Sequence, residues 1–511
     1  MSAIGSGAYE RVRTNPTKGV MRMEKSKNKL WGGGAALSVM IAALLAVTAF
    51  ALLTNADVNE NEDTAIGAAG YYNAGDIDVV NNIITNNGWA REPCPYTDGD
   101  PDTAPAWAMT QWSFVTWSAD ATNKRVVTLN MNGGLLTGTL NVSGLDELKE
   151  LYCANNRLTA LNVSGLDKLE VLWTDSSIYL TSLDVSSNTA LIKLYCYGNG
   201  NLTSLDVSNN TALEYLDCTG TKLTSLDVSN NTSLEFLNCA GSNLTSLNVS
   251  GLDKLETLYC YSNDLSTLDV SENTALWYLD CFENKLTALD VSKNTALTYL
   301  GCSDNSLTAL DVSKNTKLIW LYCDSNSLTA LDISSNTALE GLYCDSNSLT
   351  ALDVSKNTAL RYLYCDSNSL TALDVSKNTE LYELGCSENS LTALDVSKNT
   401  KLEWLDCSGN DLTSLDVTGL DALYYLDVRN NYFTDETKVI GADILPSFPS
   451  EGWNVEDDGC CFYFSPQNEG KAPGSVAGGG GGSNTLLIVA VIAVAALAAF
   501  AVYMFVLRPK I

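Results

Sequence analysis

Leu297-Thr-Tyr-Leu300-Gly-Cys302-Ser-Asp-Asn305-Ser-Leu307-Thr-Ala-Leu310-Asp-Val312-Ser-Lys-Asn315-Thr-Lys317 is one period of a pattern that fills the middle of the chain, and Leu318 opens the next. Cysteine marks the register, returning every 21 residues from Cys218 to Cys407. Cys196 and Cys153 carry the series upstream with Thr174 in the cysteine's place between them, and Met131 and Val428 stand at its ends, giving 15 repeats. One period offers about six apolar side chains, too few to enclose a core, but each can meet its own copy in the coils above and below. The pattern therefore predicts a solenoid of the β-rich α/β class, with parallel strands on a concave face. A return segment such as Ser313 to Thr316 is too short for a stable helix, so the convex side is predicted to be mostly extended or turn-like.

The array takes up residues 126–430 of 511. Before it, residues 1–34 form a basic tail, and 35–53 are 19 residues without a charge. As a helix these would span about 28 Å, enough to cross a bilayer. Basic residues ahead of the span predict a cytoplasmic N-terminus. Either a signal peptide or an uncleaved signal anchor fits, and the want of a clean small-x-small cleavage site slightly favours the anchor. Residues 54–70 are an acidic linker. Residues 71–125 read as an N-terminal cap, with helical spacing of apolar residues from Asp76 to Ile84. Residues 431–466 read as a C-terminal cap, 467–485 as a Gly-rich linker, 486–507 as a transmembrane helix and 508–511 as a basic cytoplasmic end. The expected topology puts the array outside the cell membrane and both tails inside.

Net charge is −30 with no histidine. The acidic balance argues against nucleic acid, and the missing histidine removes the commonest general base and metal ligand. Twelve of the 15 cysteines fall at the repeat position. There they serve as small hydrophobes, free and stacked in preference to rung-to-rung disulfides. Cys94, Cys460 and Cys461 lie outside the series. With no nucleophile–base pair, phosphate loop or metal cluster, the reading is a protein that is not an enzyme and needs no cofactor.

The period resembles the cysteine-ladder leucine-rich repeats of internalin J-type surface proteins. Leu307-Thr-Ala-Leu-Asp-Val-Ser-Lys-Asn-Thr316 matches one half of that family's repeat and Leu318 to Asn326 the other. Trp112 to Leu140 also looks like the cap and first repeat of plant-type arrays, with Trp117 where a cap cysteine would stand. The resemblance implies a surface-displayed binding protein, often an adhesin. No Leu-Pro-x-Thr-Gly sorting signal precedes the C-terminal span, so anchoring is expected through a membrane helix.

In Tyr299-Leu-Gly-Cys-Ser303, alternation points Leu300 and Cys302 inward and Tyr299, Gly301 and Ser303 onto the concave face. The three outward columns are rich in aromatic residues and carboxylates. Their densest stretch holds Tyr299, Trp320, Tyr322, Asp324, Tyr343, Asp345, Tyr362, Tyr364 and Asp366, the candidate ligand-binding residues. Rings beside carboxylates suit a protein or glycan. The alternative is that the rings stack on their copies and stabilise the sheet, in an envelope protein without a specific ligand.

A further column, Asp290, Asp311, Asp332 and their copies, is predicted to line the outside. Lysines three residues on or backbone groups, or else calcium, would offset its charge. Asn263, Asn305, Asn326 and their copies, like Asn294 and Asn315 at the opposite turn, are predicted to bond backbone between coils. Eight Asn-x-Ser/Thr sequons, at Asn141, Asn162, Asn201, Asn209, Asn230, Asn231, Asn243 and Asn248, are glycosylation candidates. They fit repeat grammar equally well.

Overall fold

The computed structural model describes residues 72–88, 91, 113–120, 122–442, 461–465 and 467–468. The two stretches read as membrane spans, 35–53 and 486–507, lie outside the described residues, as do Cys94 and Cys460. Among the described residues, no helix is long and apolar enough to cross a membrane.

The sequence period becomes strand register. Concave strands such as Tyr299–Gly301, Trp320–Tyr322, Gly341–Tyr343 and Tyr362–Tyr364 are three residues each and pair in parallel, Leu300 with Leu321, Leu321 with Leu342 and Leu342 with Leu363. They belong to a 17-stranded sheet. Inside the coil, Leu297, Leu300, Cys302, Leu307 and Val312 are wholly buried and Leu310 is 7% exposed, the six apolar positions that the period requires. The twelve array cysteines are buried and unbridged. Five of the thiols bond a carbonyl of the next coil, as Cys302 Sγ does that of Tyr322 at 3.4 Å.

Two asparagine ladders stitch the turns. Asn305 Oδ1 accepts from Leu286 N at 2.9 Å, and its Nδ2 donates to the carbonyls of Cys281, Cys302 and Ser303 at 3.0, 3.1 and 3.0 Å. Asn315 Nδ2 donates to Val291 and Asn294 carbonyls, both at 2.9 Å. The first ladder bonds backbone in its own coil and the preceding one, the second in the preceding coil alone, and both link coils as the sequence predicts. The convex return is two successive turns, closed by Asn315 N to Val312 O and Leu318 N to Asn315 O. Where the second asparagine gives way to leucine, at Leu252, the preceding Gly251 takes φ 77°, a left-handed backbone that only glycine adopts without strain.

The ends are covered. Helix Ala74–Asn86 is capped by Asn73 and buries Ile77, Val80, Ile83 and Ile84. Its Asp76, wholly buried, binds Arg125 through Nε and Nη2 and accepts from Val126 N at 2.7 Å, tying the cap to the first array strand. Strand Val115–Trp117 runs antiparallel to Val126–Asn130 and closes that edge of the sheet. Trp117 packs edge-on against Tyr72 at 4.8 Å. At the other end, strand Cys461–Tyr463 adds a further parallel rung beside Tyr425–Asp427. That extends the sheet beyond residue 430, where the sequence reading ends it.

Candidate ligand-binding face

Three outward columns make the concave face, and one ribbon of rings runs along it. Successive centroids from Tyr278 to Tyr299, Tyr322, Tyr343 and Tyr364 are 4.1, 5.4, 4.4 and 5.0 Å apart. The ribbon continues from Tyr364 to Trp404 and Tyr425 at 5.6 and 5.0 Å, crossing a coil that has no ring in its outward columns. It passes from the first outward column to the second between Tyr299 and Tyr322, and back to the first between Tyr364 and Trp404. Glycines open the space for this. The Trp320 indole lies over Gly341 and reaches Tyr362 at 5.8 Å, while Tyr364 and Asp366 lie over Gly385.

Side of the sheet is therefore not the same as exposure, which corrects the expectation of a uniformly exposed aromatic face. Tyr299 is 9% exposed, Tyr322 4% and Asp324 9%, because neighbouring rings and Ser303 cover them. Trp320, Tyr343, Asp345, Tyr362, Tyr364 and Asp366 are half-buried and keep one surface open to solvent. These six form the accessible part of the candidate site, laid on Tyr299, Tyr322 and Asp324.

Charge on this face is unbalanced. Burial raises the carboxyls of Asp324, Asp345 and Asp366 above their usual range, and that of Asp280 to about 7. Tyr364 donates to Glu383, whose charge, after burial, pushes the phenol up. Asp280, Asp217, Asp406 and Asp427 stand one residue before the repeat position. They are missing from the sequence-derived site, although that spacing could have found them.

The convex aspartates are exposed, and their partner is the backbone of the turn, one of the two partners expected. Asp311 Oδ1 accepts from Ser313 N at 2.9 Å, and this bond, more than Lys314, holds its carboxyl low. Among the described residues, no group of three or more acidic, cysteine or histidine side chains is arranged to hold a metal ion.

Seven sequon asparagines are exposed or half-buried. Asn231 is not, which corrects that candidate. It is wholly buried in the second ladder, with Nδ2 on the Val207 and Asn210 carbonyls, both at 2.9 Å. The folded coil leaves no room for a glycan there.

Among solved structures, the chain is similar to the functional domain of InlJ from Listeria monocytogenes, which includes a cysteine ladder. The two are 35% identical with a TM-score of 0.54, over 62% of this chain and 67% of that one. This chain belongs to the cysteine-ladder leucine-rich repeat family. A leucine-rich repeat protein of Leptospira interrogans is 22% identical (TM-score 0.48, covering 60% of this chain and 93% of that one). The internalin inlF of Listeria monocytogenes is 20% identical (TM-score 0.46, covering 63% and 88%). No family model and no curated protein matches the chain. The leucine-rich repeats account for the buried columns and the ladders.

Proposed function

We propose that the protein is a membrane-anchored cell-surface binding protein, an adhesin or receptor, with the array outside the cell. Its concave face recognises a protein or glycan. The observation that carries this reading is the set of half-buried rings, Trp320, Tyr343, Tyr362 and Tyr364, that stand on the concave face and keep one surface in solvent. Aromatic side chains give large contact area with little entropy to lose on binding. The uncharged stretches at 35–53 and 486–507 support the anchoring, and the likeness to an internalin domain supports a role at the surface.

A second reading, an envelope protein without a specific ligand, draws support from Tyr278, Tyr299 and Tyr322, which bury one another. The two readings separate on a panel of surface proteins and glycans, tested against the parent chain and a Trp320→Ala, Tyr362→Ala variant. Saturable binding by the parent, lost in a variant that keeps its circular dichroism, supports recognition. Absence of binding across the panel moves the weight to the structural role.

A further inference from the structure

The concave face lacks cations. Its three outward columns hold ten carboxylates and two cationic side chains, Lys193 and Arg429, and Arg429 is already bound to Asp427. Between residues 280 and 387 no cationic side chain stands in any of the three columns. Asp324, Asp345 and Asp366 follow one another in consecutive coils, about 4.8 Å per step. Asp324 accepts from Ser303 Oγ, and Asp366 accepts from Ser387 N at 2.6 Å. Asp345, between them, has its own backbone amide. In the adjoining column Asp280 is wholly buried, and its Oδ2 finds no hydrogen-bond donor among the described residues. Like charges at this spacing repel, and burial adds to the cost.

Beside this row run the rings of Tyr322, Tyr343 and Tyr364, stacked at 4.4 and 5.0 Å. Stacked face to face, these rings cover one another's faces, so the stack offers apolar surface along which the methylene stem of a long cationic side chain can lie, and the carboxylate row supplies the attraction. A neutral glycan would fill the face and leave its charge uncompensated. An extended peptide presents side chains about 6.6–6.8 Å apart on one face, so that long cationic arms reach the accessible Asp345 and Asp366.

We propose that this part of the concave face docks an extended, lysine- or arginine-bearing segment of a partner protein. Its cationic groups lie against the accessible Asp345 and Asp366 and the edges of Tyr343 and Tyr364, with the covered Asp324 and Tyr322 beneath. The inference rests on the concave face being the recognition surface and names the chemistry of its partner.

The test is binding of a fluorescent oligolysine to the full-length chain, beside the same peptide with every lysine acetylated. Two variants accompany the parent. D324N/D345N/D366N removes three concave charges, and D311N/D332N/D353N removes three from the convex side. Asn keeps the hydrogen bonds that Asp makes at both places, and circular dichroism checks both folds. The charged peptide binds at least about tenfold more tightly than the acetylated one, the concave variant loses about tenfold or more, and the convex variant changes less than about twofold. Equal losses in the two variants would reduce the binding to bulk charge and overturn the proposal. Equal binding of both peptides, lost in Trp320→Ala, would overturn the cationic partner and leave the concave-face reading standing. Tighter binding of a glucosamine oligomer than of the peptide would overturn the peptide assignment. Absence of binding by any probe would count against both readings.

Discussion

The Trp320 indole occupies the space that a Cβ on Gly341 would fill. Gly341 thus sets the attitude of a ring in the preceding coil. Gly341→Ala forces the indole off the sheet and away from Tyr362, at a cost of about 1–3 kcal/mol, the usual range for overpacking. The melting temperature falls, and the near-ultraviolet circular dichroism of the ring ribbon changes while the backbone signal holds. An unchanged aromatic spectrum would mean that the ring does not depend on the glycine.

The first asparagine ladder predicts a graded series. Asn305→Ala strands Leu286 N and three carbonyl partners at once and costs about 2–4 kcal/mol. Asn305→Thr costs less, because two coils already use hydroxyls at this place. Thr221 Oγ1 donates to the Cys218 carbonyl at 2.8 Å and meets Ser242 Oγ at 3.0 Å. Denaturant titration of the two variants gives the order directly.

Burial keeps the array thiols protonated and out of reach. Cys302 and Cys323 are wholly buried with their thiol pKa pushed up by desolvation, and the thiolate is the reactive form. In the native chain an aromatic disulfide reagent modifies no more than the three cysteines outside the array, and in denaturant at least the twelve within it. Native modification of more than three would show that the coils open.

Stability depends on pH in two opposite branches. Burial raises Asp280 to about 7 and Asp175 to about 8. A carboxyl raised on folding binds its proton more tightly in the folded chain. It therefore costs stability as pH rises from about 4 towards the folded value, and acidification restores that stability. The convex aspartates, held low by their turn amides, act the other way below about pH 4. Melting temperature thus rises as pH is lowered from about 8 to about 5, then falls under stronger acid. Asp280→Asn flattens the upper branch. A melting temperature that climbs steadily to pH 8 would contradict the burial of these carboxylates.

Most of the architecture is legible in the sequence because a strict period leaves few alternatives. Leu300 and its copies can meet only one another, and Asn305 and Asn315 recur where a turn needs an amide. Exposure on the concave face is harder to read. Whether Tyr299 or Trp320 is covered depends on what stands in the neighbouring coils, such as Gly301 or Gly341. Alternation within one strand says nothing of that. Strand Cys461–Tyr463 escapes a sequence reading because Phe462 stands in the leucine's place and the segment lacks the repeat's leucine spacing. Asn231 was readable either way. It opens a sequon, but it also stands 13 residues after Cys218, the spacing by which Asn294 follows Cys281 and Asn315 follows Cys302.

Register by whole periods also makes the molecule a ruler whose length is adjustable. Excising residues 323–343 would bring Tyr322 directly before Cys344, and Leu321 would meet Leu363 as it now meets Leu342. Neither cap would sense the change, since each touches only its own end of the stack. The reach of the concave face would shorten by one step of about 4.8 Å, so span can vary between related chains independently of the chemistry at either end.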